Sequence, residues 1–248
     1  MIELKSQREI ETIRKASKIV AEAHQYVAEI IRAGMTTAEL DRKVEAFIIS
    51  KGGVSATKGY AGFPGALCLS INEEVVHGIP GSRKIKDGDI VSVDIVVKFD
   101  GYYGDAARTI AVGEISDTAK KLIEVTEQSF FEGIKFAREG YRLSDISHAI
   151  QTYVEENGFS VVRDYVGHGI GKQMHEDPQI PNFGLPNRGP RLKKGMVLAI
   201  EPMVNEGVFQ VKVLGDDWTV VTRDGKLSAH YENTIVITED DPEILTVL

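Results

Sequence analysis

The chain has 248 residues, 42% of them hydrophobic and 27% charged, and a formal net charge of −8. That length can bury a sizeable core in one large domain, and the negative balance argues against a nucleic-acid binder held by a broad basic face. A single cysteine, Cys68, excludes an internal disulfide. With no secretory h-region and no apolar run near the roughly 20 residues that span a membrane, a cytoplasmic protein is expected.

Residues 6–33 read as one amphipathic helix, with Ile10, Ile13, Ser17, Val20, Ala21 and His24 along one side and Gly34 ending it. A second helix begins at Thr36, where Thr36 and Glu39 are spaced as a capping box, and runs to Gly52. Residues 53–80 are Gly-rich and irregular. Residues 89–98 and 102–112 then predict a β-hairpin about Asp100-Gly101.

After the hairpin the pattern begins again. Residues 117–138 predict a long helix closed by Gly140, and residues 143–157 a second one closed by Gly158. Segment 33–40 matches 139–146, and Val44, Phe47, Ile48 and Gly52 are answered by Ile150, Tyr153, Val154 and Gly158. Segment 85–88 matches 192–195, and in both cases an acid follows the glycine by six positions: Asp94 and Glu201. An internal duplication is expected, with halves of roughly 1–113 and 114–248 in one domain about a shared sheet.

Asp94, Glu201 and Glu232 lie in or beside apolar strand-like runs with no Lys or Arg in those strand cores. An unpaired ionised carboxylate there is prohibitively costly. The two-residue turn at 100–101 pairs Asp94 with Ala107 and sets Asp105 two positions away on the same face. Carboxylates that close repel unless a cation sits between them. His168 stands in Gly-His-Gly-Ile-Gly, where the glycines let backbone approach a ligand, and Pro202 holds Glu201 extended. Four acids and one imidazole make a hard, oxygen-rich site suited to two divalent ions, of Mn, Fe(II), Co or Zn. His77 and His175 fall in loops, where a surface histidine is the plain reading.

The segments around Asp94, Asp105, His168, Glu201 and Glu232, with Ile-Asn-Glu-Glu-Val-Val-His-Gly-Ile-Pro at 71–80, resemble the type I methionine aminopeptidases. The resemblance extends over essentially the whole chain. It implies the α+β pita-bread fold, two pseudo-symmetric halves with a curved antiparallel sheet flanked by helices. It also implies that Asp105, His168, Glu201 and Glu232 bind one metal ion and that Asp94, Asp105 and Glu232 bind another. Glu201 would shuttle a proton from a metal-bridging water to the leaving amine, His175 would stabilise the oxyanion, and His77 would hydrogen-bond the scissile amide. Tyr60, Phe63, Cys68 and Trp218 would line a methionine pocket alongside His77 and His175.

The implied activity is removal of the initiator methionine from nascent proteins and peptides, with a small second residue preferred. The implied setting is a cytoplasmic monomer in transient contact with the ribosome. Met174 and Thr57 depart from residues found in some relatives, an aromatic and a cysteine. There is no zinc-finger extension, and the stretch from His168 to Glu201 lacks the long insertion of type II. An Xaa-Pro aminopeptidase is the alternative within enzymes, though those usually carry an extra N-terminal domain. A catalytically dead binding protein of the same fold would have lost ligands, and none of the five is missing.

Overall fold

In the computed structural model, which describes all 248 residues, helix α1 (Gln7–Ile30) opens with a full capping box. The Ser6 hydroxyl accepts from the Glu9 amide, and the Glu9 carboxylate accepts from the Ser6 amide. The helix buries Ile10, Ile13, Val20, Ala23 and Val27, the spacing of one helical face. It stops short of the expected end at residue 33 because Ile31 is already extended, with φ −64° and ψ 132°. Helix α2 (Thr37–Ser50) is capped by the Thr36 hydroxyl, which accepts from the Glu39 amide at 3.1 Å.

Helix α3 (Asp117–Ile134) also ends before the expected residue 138. There the chain tightens into i→i+3 bonds, from the Phe136 amide to Gly133 and from the Ala137 amide to Ile134. Helix α4 (Leu143–Glu156) falls within a residue of its predicted limits.

The irregular region contains three short strands, β1 (Val54–Ser55), β2 (Cys68–Ile71) and β3 (Glu74–Val76). The hairpin is β4 (Ile90–Phe99) and β5 (Tyr102–Ala111). Its turn residues Asp100 and Gly101 sit at φ 47° and 84°, the left-handed pair such a tight turn requires. The register is the predicted one, Asp94 opposite Ala107 and Asp105 opposite Val96.

The second part contributes β6 (Ser160–Val161), β7 (Gly167–Gly169), β8 (Glu176–Ile180), β9 (Val197–Ile200) and β10 (Met203–Asn205). It continues with β11 (Val211–Val213), β12 (Val220–Thr222), β13 (Ser228–His230), β14 (Asn233–Val236) and β15 (Glu243–Ile244).

Hydrogen bonding divides these strands into four ladders rather than one continuous sheet: β1-β4-β2 with β5 on β4, β15-β14-β9-β7-β8, β13-β10-β6, and β11-β12-β3. All pairs are antiparallel. The two largest ladders meet at a seam, where the Glu232 amide donates to the Ala107 carbonyl at 2.9 Å.

Helices α1 and α2 pack Val20, Leu40, Val44 and Ile48 against Val93 and Ile95. Helices α3 and α4 pack Leu122, Phe130, Ile146 and Ile150 against Leu198 and Ile235. Each fully buried Leu, Ile or Phe contributes about 1.5–3 kcal/mol. These two helix-backed cores hold the strands rigid on either side of the seam, which is where the carboxylates gather. The arrangement is the α+β pita-bread fold.

Candidate active site

Each expected metal ligand is delivered by a strand or a strand end. Asp94 on β4 lies opposite Ala107 on one side and Cys68 on the other. His168 on β7 pairs with Ala199 on β9, and Glu201 follows β9 directly. Glu232 sits in the short link between β13 and β14. The His168 Nδ1–H donates to the Gly169 carbonyl at 2.9 Å, which fixes the tautomer and frees Nε2. That Nε2 stands 3.5 Å from Glu201 Oε1 and 3.8 Å from Asp105 Oδ2.

The glycines around His168 serve a different purpose from the expected one. A Cβ on Gly167 would lie 2.5 Å from the Ala199 carbonyl oxygen, and one on Gly169 would lie 2.1 Å from that of Asp177. Glycine is required because neighbouring backbone crowds β7, not because a ligand approaches it.

The donor set fits divalent ions. Asp94 Oδ1, Asp105 Oδ1 and Glu232 Oε1 are buried without a hydrogen-bond partner. Burial pushes the Asp94 carboxyl up to about 7. Burial, and next the charge of neighbouring carboxylates, holds Asp105, Glu201 and Glu232 well above the usual carboxylate range. Carboxylates so placed ionise together only around a cation. Two triads, Asp105–His168–Glu232 and Asp94–His230–Glu232, each bring their ligand atoms within 4.8 Å of one another. Oxygen-rich donors with imidazole suit Mn, Fe, Co or Zn.

Two residues of this neighbourhood were not anticipated. Arg108 on β5 is a half-buried cation, whereas the strand pattern suggested none nearby. Its guanidinium donates to the Glu232 carbonyl, to the Ala107 carbonyl at 2.8 Å and to Asn233 Oδ1 at 2.6 Å, and it stacks on Tyr231 at 4.4 Å. It therefore braces the backbone behind Glu232, and its charge offsets only part of what burial costs that carboxylate. Arg108 has the opposite strand parity to Asp105, which sends its side chain to the other face. His230 lies two residues before Glu232, an i, i+2 spacing that could have flagged it.

The carboxylates floor a cavity of about 200 Å³, and every residue expected at the site lines it: Tyr60, Phe63, Cys68, His77, Asp94, Asp105, His168, His175, Glu201, Trp218 and Glu232. Thr57, Val76, Val96, Tyr165, Val166, Met174 and Met203 complete the wall. Phe63 meets Trp218 edge-on at 5.1 Å, and His77 meets Tyr165 and Trp218 edge-on at 5.5 and 6.2 Å. Asp216 sets the Trp218 turn by accepting from the Trp218 and Thr219 amides at 3.0 and 2.8 Å.

His77 and His175 both line the cavity, His77 half-buried and His175 in an exposed loop at its edge. His77 takes a positive φ of 59°, a strained conformation of the kind that gathers at functional sites. The His175 ring lies against that of His168 at 4.4 Å, and its Nδ1 hydrogen-bonds the Tyr60 hydroxyl at 2.8 Å. Burial lowers His77 and His168 to about 4 and also lowers His175. All three imidazoles are therefore neutral near pH 7. Tyr60, 45% exposed, stands at the mouth.

Comparison with known proteins agrees with this geometry. The profile of metallopeptidase family M24 matches residues 11–239. The chain is 59% identical to the methionine aminopeptidase of Clostridium perfringens over 248 residues, which is 100% of both chains. It is 59% identical to methionine aminopeptidase 1 of Bacillus subtilis over 246 residues, 99% of each. Its structure superposes on the crystal structure of methionine aminopeptidase from Thermotoga maritima with a TM-score of 0.98, at 50% identity and 100% coverage of both chains. The chain belongs to metallopeptidase family M24 and, within it, to the methionine aminopeptidases.

Proposed function

We propose that this chain removes the N-terminal methionine from peptides and nascent proteins, with two divalent ions per chain, and that it prefers a small second residue. The observation that carries the reading is the single cavity that joins four carboxylates, buried or half-buried, to a wall of aromatic and sulfur-bearing side chains. Phe63, Trp218, Cys68 and Tyr60 form an apolar slot suited to an unbranched thioether, which packs well on aromatic faces.

Asp105, His168, Glu201 and Glu232 would hold one ion, and Asp94, Asp105 and Glu232 the other. When bound, such ions supply Lewis-acid polarisation of the scissile carbonyl and acidify the attacking water. Glu201, last in the run from β9 and poised at the cavity floor, accepts the proton of that water and returns it to the leaving amine. His175, neutral and held by Tyr60, donates to the oxygen that gains charge. His77, fixed by its strained backbone between Tyr165 and Trp218, hydrogen-bonds the scissile amide and orients it.

We place this activity in the cytoplasm, on a monomer that meets its substrates as they leave the ribosome. A lone buried thiol suits a reducing compartment, and no helix is long and apolar enough to cross a membrane. The domain is read as a duplication, with halves of roughly 1–113 and 114–248. The test is direct. Metal-free protein is incubated with Mn, Fe(II), Co or Zn under reducing conditions and assayed on Met-Ala-Ser against Ala-Pro peptides. Cleavage of Met-Ala-Ser alone supports the reading; no cleavage with any metal ends it.

A further inference from the structure

Two imidazoles, not one, face the carboxylates. His230 is 2% exposed, and its Nε2 has no hydrogen-bond partner. That atom stands 3.8 Å from Glu201 Oε2 and 3.8 Å from Glu232 Oε2. The spacing nearly repeats that of His168, whose Nε2 is 3.5 Å from Glu201 Oε1 and 3.8 Å from Asp105 Oδ2.

An N–H···O hydrogen bond ends near 3.2 Å, so these contacts are too long to be hydrogen bonds. Two donor atoms each about 2.0–2.2 Å from a shared ion can stand up to about 4.4 Å apart, and these distances fall inside that limit. The backbone of His230 is fixed on both sides by Thr109, whose hydroxyl accepts from its amide at 2.8 Å and donates to its carbonyl at 2.9 Å.

We propose that His230 is a metal ligand, binding through Nε2 the ion shared by Asp94 and Glu232. The inference rests on the two-ion reading above and extends it. Three carboxylates alone would make the second position a hard site. An added imidazole tilts it toward Fe, Co and Zn and away from Mn and Mg. It also relieves a buried ring nitrogen that otherwise has no partner.

The test uses the full chain loaded with two equivalents of Co(II). Each cobalt-bound imidazole that keeps its other ring N–H gives one strongly shifted, solvent-exchangeable proton NMR signal. Two such signals are expected, from His168 and His230, and His230→Gln should lose one. Calorimetric titration of the same variant should leave the first ion near wild-type affinity and weaken the second by at least about tenfold. A single shifted exchangeable signal in the wild type, with second-ion affinity unchanged in His230→Gln, overturns the inference and leaves the two-ion reading standing. A wild-type chain that takes up only one ion overturns both. The wild-type signal count holds whether or not the variant folds.

Discussion

Thr234 and Asp105 exchange two hydrogen bonds across the seam between β14 and β5. The Thr234 hydroxyl accepts from the Asp105 amide at 3.0 Å and donates to the Asp105 carbonyl at 2.8 Å. Both residues are buried, so one side-chain hydroxyl does here what a ladder peptide does elsewhere. Thr234→Val keeps the shape and leaves two buried peptide groups unmet, each costing about 1–3 kcal/mol. Urea denaturation in the presence of chelator should show a loss of about 2–4 kcal/mol. A loss below about 0.5 kcal/mol would mean that the seam does not depend on this hydroxyl.

Glu201→Gln removes the proton acceptor while keeping size and one oxygen donor. Turnover of Met-Ala-Ser should fall by at least about a hundredfold, with metal uptake measured separately by titration. Activity within a few-fold of wild type would take Glu201 out of the proton-transfer role.

His175→Ala should lower kcat by about 10²–10³ with little change in KM, the mark of a group that acts on developing charge. Tyr60→Phe removes only the 2.8 Å bond that orients His175, and the loss in kcat should be smaller, about tenfold. Steady-state kinetics on one peptide decides the order; a Tyr60 variant worse than the His175 variant would contradict it.

His24 on α1 donates Nε2–H to the Ala106 carbonyl at 2.9 Å, and burial, then the nearby Arg108 charge, lowers its pKa to about 3 from an ordinary value of 6.5. The unfolded chain therefore binds a proton between those values that the folded chain refuses. Stability from this group is full above pH 6.5 and falls as pH drops toward 3, by up to about 1.4 kcal/mol per pH unit. His24→Gln keeps a donor without the titration. Chelated wild type taken from pH 7.5 to 5.5 should lose about 1.4 kcal/mol more than this variant does. Parallel losses would mean that His24 takes up its proton without opening the fold.

Local chemistry made some of this architecture readable. Asp100-Gly101 fixes a two-residue turn, the turn fixes parity, and parity places Asp94 and Asp105 on one face. Asp94, Glu201 and Glu232 could be found because each stands in or beside an apolar run where a bare charge is costly. Asp105 followed instead from the hairpin parity, and His168 from its glycine-rich segment. What was not readable depends on partners remote in the chain. Gly167 and Gly169 look like loops yielding to a ligand, yet they yield to Ala199 and Asp177 across the strand pairs. Arg108 is absent from the strand cores around Asp94, Glu201 and Glu232, and only the fold brings it behind Glu232. Tyr165 and Met203 have no local mark of a pocket wall; they become one where β10 and the loop before β7 close on His77 and Trp218.

Donors for each ion would come from both sides of the seam, Asp94 and Asp105 from the β4–β5 hairpin and Glu232 from the far bank. A bound ion would then tie the two banks together, beside the hydrogen bonds that already cross the seam. Filling the site should therefore stiffen the seam itself, and the backbone amides of Ala107 and Glu232, which bond across it, should exchange with solvent more slowly in the metal-loaded protein than in the chelated one.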